Sequence, residues 1–206
     1  MNALAGTSIT NFVLASEVFF LAGILAEKPK ARFSAAWFWS GMMILLGSAT
    51  LIGGIDHGFF EGPGLPRYFI QRLTWIVLGA MTFFLLMTIA KQFFPRQVQR
   101  LFLIFGIVQF TADTIAVLLI DSFLVVILNY TPVMLLLLIM SLMDLKNGPG
   151  SRNMIAGILI LFVASVIQGL GIDIFNPLDR NGLYHLVSMA GIVFMYLGGH
   201  RLRNAL

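Results

Sequence analysis

Polar breaks divide this chain into apolar runs of about twenty residues, the length that one helix needs to cross a hydrocarbon layer about 30 Å thick. The breaks are "EKPKAR" (27–32), "GGIDHGFFEGPGLPRYF" (53–69), "KQFFPRQVQR" (91–100), "DLKNGPGSR" (144–152) and "DIFNPLDRNG" (173–182), and each combines charge with Pro or Gly as turn chemistry requires. Composition agrees: 59% of the 206 residues are hydrophobic, 11% are charged and the mean hydropathy is +0.93. An ordinary soluble domain carries roughly 25% charged residues, so this is the composition of an integral membrane protein. The expected fold class is all-α, one polytopic bundle of seven transmembrane helices in a single domain over residues 1–206, with no room for a soluble domain beside it.

The spacing predicts spans at about 7–26, 34–55, 69–90, 101–119, 122–143, 153–173 and 182–199. Between Leu101 and Met143 only Asp121-Ser122 offers a turn, and six or eight spans are the alternatives. With seven helices threaded, ten of the thirteen Lys and Arg residues share one side, leaving Arg67, Arg72 and Arg180 on the other. The positive-inside rule makes the crowded side cytoplasmic. The expectation is therefore an inner (plasma) membrane protein of a bacterium, N-terminus outside and C-terminus inside. No basic residue precedes the first apolar run, so that run is expected to stay as a helix instead of being cleaved. The net charge of +4 is spread over short loops and gives nucleic-acid binding no support.

Missing residues narrow the chemistry. Without Cys there is no disulfide, thiolate site or iron–sulfur cluster. No lysine falls within a predicted span, which removes a retinal attachment point, and no phosphate-cradling loop or nucleophile elbow is present.

Polar residues within spans are expensive in lipid and are expected to face the bundle interior. Glu17 falls near the midplane, while Ser48, Asp113, Asn129 and Gln168 gather in the expected outer half. Asp56, His57, Asp121, Asp173, Asp179 and His185 lie at the outer edge, so a polar cavity opening outward is expected. Each has a structural alternative. Gln109 and Asp113, one turn apart, suit an interhelical polar seam, and Ala49-x-x-x-Gly53 and Gly54-x-x-x-Gly58 suit close helix approach. Trp37, Trp39, Tyr68 and Tyr184 are expected at the interfaces as aromatic anchors.

His57 and His185 form the candidate metal pair. A hydrolytic zinc site takes three protein ligands and a water. The third ligand is expected from Asp56, Asp121 or Asp173, with Ser48 or Asp113 as the catalytic group. The alternative is that both histidines cap helix ends. His200, about 22 Å from His185 along one helix, cannot share a metal with it.

Seven helices, a histidine at the end of the second and another at the start of the seventh, with the blocks "GGIDHGF" (53–59) and "NGLYHLVSMAGIVFMYLGG" (181–199), resemble the CREST superfamily. That group holds alkaline ceramidases and progestin/adiponectin-type receptors, and the blocks are similar to those of small bacterial relatives. The resemblance implies a zinc-dependent hydrolase of lipid amides or esters, with His57 as first ligand and His185 as one of an HxxxH pair. The chain departs from that pattern with Asn181 and Met189 at the HxxxH partner positions, Gln71 and Arg72 where an aspartate is expected, and Gly53 where a serine is expected. Two other function classes stand beside the hydrolase. One is a non-catalytic bundle that binds a lipid or quinone-like ligand or serves as an accessory subunit of a larger membrane complex. The other is a bis-histidine haem protein.

Overall fold

The computed structural model describes residues 3–27, 30–60, 62, 64–174 and 178–204. Among them run seven helices: α1 (Ala3–Ala26), α2 (Ala35–Phe59), α3 (Leu65–Phe93), α4 (Arg96–Leu119), α5 (Leu124–Met143), α6 (Ser151–Gly169) and α7 (Arg180–Gly199). All seven are long and apolar enough to cross a membrane, and the chain is an integral membrane helical bundle. The turn expected at Asp121-Ser122 separates α4 from α5, which fixes the count at seven among the described residues.

The helices close a ring in the order α1, α2, α3, α5, α6, α7, with α4 packed outside it against α3 and α5. This position makes α4 the most lipid-facing helix and α3 the most buried. The ends of the bundle differ chemically. Its apolar core, with Val18, Trp39, Met43, Leu85, Leu137 and Ile158 all but sealed from solvent, lies in the half nearer the C-terminus. Polar groups collect in the half where α1 begins, here called the N-terminal end.

Local chemistry sets the boundaries. Ser34 caps α2 by accepting from the Trp37 N–H at 3.1 Å, and Asp179 caps α7 by accepting from Gly182 at 2.9 Å. Pro66 sits in the first turn of α3, where its missing N–H costs nothing. Several boundaries move relative to expectation, α4 starting at Arg96 instead of about 101 among them, and two of the shifts bear on the candidate site. Helix α2 runs on through "GGIDHGF" to Phe59, because the glycines keep helical geometry where α1 lies close: a Cβ on Gly54 meets the Phe12 ring at 3.0 Å, and one on Gly58 meets Ser8 Oγ at 2.6 Å. Helix α6 ends at Gly169, which leaves Asp173 in the following loop.

Trp39 departs from its expected role as an interfacial anchor. It is fully buried, its indole laid over Gly199 so closely that any Cβ there collides with the ring. The C-terminal tail is tied down beside it, with the Ala36 N–H donating to the Arg203 carbonyl at 3.1 Å and the Arg203 N–H to Gln92 Oε1 at 2.9 Å.

Candidate functional site

The first turns of α1 distribute polar side chains to both neighbours. Thr7 Oγ1 donates to Asp179 Oδ1 at 2.9 Å, and Thr10 Oγ1 is hydrogen-bonded to His185 Nδ1 at 2.9 Å, both towards α7. Ser8 Oγ donates to the Gly54 carbonyl at 2.8 Å, towards α2. Residues three apart share a helix face, so "TSIT" serves two interfaces in one turn. His185 is buried near the start of α7, and His57 lies near the end of α2. The two histidines therefore reach the same end of the bundle, as expected, although α1 packs between the helices that carry them. His57 is half-buried and its Nδ1 has no partner.

Each acid expected to complete a metal site lies beside an arginine, although Asp56 Oδ1 is buried without a hydrogen-bond partner. Asp56 lies 4.0 Å from Arg67 Nε. Asp121 accepts from Arg72 Nη2 at 2.9 Å. Asp173 accepts from the Arg180 backbone N–H at 2.7 Å and lies 3.8 Å from its Nε. The three arginines of the expected outer side are thus each matched to one aspartate. Among the described residues no three His, Cys, Asp or Glu side chains gather into a group that could hold a metal ion.

The proposed catalytic residues also stand apart from the histidines. Ser48 Oγ donates to the Ile44 carbonyl of its own helix at 2.9 Å and lies nine residues before His57, about 13 Å along the axis. Asp113 is buried where α4 crosses α3, with its Oδ2 over Gly79 so that a Cβ there comes within 2.3 Å, and neither carboxylate oxygen has a partner. Gln109, expected to share a seam with Asp113, turns to α5 instead. Its Nε2 donates to Asn129 Oδ1 at 2.7 Å and to the Asn129 carbonyl at 3.3 Å.

That amide pair lies in a groove of about 550 Å³ between α3, α4 and α5. Leu86, Phe102, Phe105, Leu128, Val133 and Leu136 supply most of its walls. Phe105 and Leu128 are 59% and 65% exposed, so the groove opens sideways to the lipid. Pro132, within α5, forms part of the lining. A proline inside a helix withdraws one backbone hydrogen bond.

The match of residues 6–204 to DUF6962, a family of unknown function, decides the family. The chain belongs to it. No curated protein and no solved structure matches this DUF6962 chain.

Sequence reasoning did not find the groove in this DUF6962 protein. The available signal was Pro132 in the middle of an apolar run, four residues from each of two groups that matter: the carbonyl of Leu128 and, on the far side, the core-packed Leu136. Arg72, within the expected third span and at a position where the CREST pattern has an aspartate, is 3% exposed between the rings of Tyr68 and Trp75, a cage that the sequence reading does not find.

Proposed function

We propose that this protein is a non-catalytic intramembrane binding protein that takes a lipid-soluble ligand in the groove of α3, α4 and α5. The observation that carries this reading is the groove itself, about 550 Å³ of apolar wall with one amide pair. Small-molecule sites have this character, mostly apolar with a few placed polar groups and roughly 300–1,000 Å³ in volume. The lipid-facing mouth supports entry from the bilayer. An accessory role in a larger membrane complex is compatible with the same groove. The majority of basic residues at the C-terminal end supports a bacterial inner-membrane location with that end cytoplasmic and the N-terminal end outside.

The test is extraction and mass spectrometry of small molecules that copurify with the full chain, compared with a Leu128→Trp variant whose indole fills the groove. A lipid-soluble compound retained by the native chain and lost from the variant supports the reading. Equal retention by both contradicts it.

A second reading, the CREST-like lipid hydrolase, is favoured by one observation: His57, near the end of α2, and His185, near the start of α7, lie at the same end of the bundle. It needs a third ligand to be recruited from an acid that now pairs with arginine. Zinc bound at one equivalent, and lost in both His57→Ala and His185→Ala, is the result that supports it.

A further inference from the structure

We infer that the groove's occupant is a neutral lipid-soluble molecule presenting a hydroxyl or N–H donor, held by acceptors that α4 and α5 leave unsatisfied. This rests on the groove being the ligand site. Pro132 has no N–H, so the Leu128 carbonyl, four residues earlier, lacks the donor that a regular helix supplies. Leu128 itself lines the groove and is 65% exposed. The amide pair adds a second acceptor without a donor. Gln109 spends its Nε2 on Asn129, where both the side-chain and main-chain oxygens accept from it, and its own Oε1 is buried without a partner. The groove thus presents two acceptors that lack a donor, the Leu128 carbonyl and Gln109 Oε1, beside the side-chain N–H group of Asn129, from which a ligand hydroxyl can accept in turn.

Its lining contains no ionisable residue. An anionic headgroup finds no counter-charge there, and neither does a cation. Depth points the same way. Leu128 lies four residues into α5 and Gln109 ten residues before the end of α4, about 6 Å and about 15 Å below the N-terminal end along the helix axes. Within hydrocarbon an acceptor without a donor is costly, and water is not there to supply one. A hydroxyl carried on an apolar body meets both demands, filling the walls with its chain or rings and giving its hydrogen to the Leu128 carbonyl or the Gln109–Asn129 pair.

The experiment reconstitutes the full chain in phosphatidylcholine nanodiscs and photolabels it with a diazirine-bearing long-chain alcohol or with the methyl ether of that alcohol, followed by peptide mapping. The expected result is labelling within 101–109 and 128–136 by both probes, with the alcohol favoured about tenfold at limiting concentration, the effect of one hydrogen bond. Pro132→Ala, which returns an N–H to the Leu128 carbonyl, is expected to keep the labelling and reduce the preference, and Gln109→Leu is expected to reduce it independently. Equal labelling by alcohol and ether in the native chain overturns the donor inference while leaving the groove as a binding site. Labelling of the groove by neither probe, or displacement of both by the bulk phosphatidylcholine, overturns the groove reading and this inference with it.

Discussion

The guanidinium of Arg72 lies 2.9 Å from the carboxylate of Asp121 and is flanked by the rings of Tyr68 and Trp75 at 4.5 and 4.4 Å. This joins the start of α3 to the loop between α4 and α5 with a charge that is almost wholly buried on one side and open on the other. The Asp121 side chain is 80% exposed, so solvent screens the pair and the ionic part is worth about 1 kcal/mol or less. The ring contacts add roughly 1 kcal/mol each, and they do not depend on Asp121. Arg72→Ala is therefore expected to lower the melting temperature in detergent clearly more than Asp121→Asn does. Equal shifts in thermal unfolding followed by tryptophan fluorescence show that the ion pair, and not the aromatic cage, dominates.

Glycines separate into those that face open space and those pressed on backbone. A Cβ on Gly157 meets the Gly191 carbonyl oxygen and the Met195 nitrogen at 2.8 Å, so α6 and α7 must move apart to admit it. Gly23 has nothing within 4 Å of that position. Gly157→Ala is expected to destabilise by about 1–3 kcal/mol. Gly23→Ala is expected to stabilise by roughly 0.5–1 kcal/mol, through helix propensity alone. Parallel denaturation of the two variants checks the pair.

The Thr10–His185 hydrogen bond fastens α1 to α7. Thr10→Val keeps the shape and removes the hydroxyl, at an expected cost of about 1 kcal/mol for one buried hydrogen bond and more where the imidazole nitrogen stays unpaired. His57→Ala, which removes a ring whose Nδ1 has no partner, is expected to cost less than His185→Ala. Under the binding-protein account neither histidine substitution changes which small molecules copurify. Loss of a copurifying lipid in both variants, together with one equivalent of zinc in the native protein, is the outcome that moves the function to the histidine end.

Much of the fold was legible because membrane helices obey a length rule that soluble ones do not, and even the weakest boundary, at Asp121-Ser122, fell where the turn residues stand. The overrun of α2 through Asp56 and His57 was not legible. Glycine reads as a breaker in a chain of unknown neighbours, whereas here Gly54 and Gly58 sit under α1 side chains that require a small residue. The candidate metal ligands show a similar limit. Sequence placed Asp56, Asp121 and Asp173 at the right end of the bundle but could not show that Arg67, Arg72 and Arg180 stand beside them. The groove is formed by side chains of three helices, α3, α4 and α5, a property of packing that the sequence does not spell out.

Photolabelling with an unfunctionalised diazirine alkane in nanodiscs tests the central claim most directly, because it asks only where an apolar molecule resides on the chain. The account predicts labelling concentrated on 101–109 and 128–136 and suppressed in Leu128→Trp. Labelling spread evenly over all lipid-facing surfaces, with Phe20 and Val163, 67% and 56% exposed on α1 and α6, marked as strongly as the groove, contradicts it.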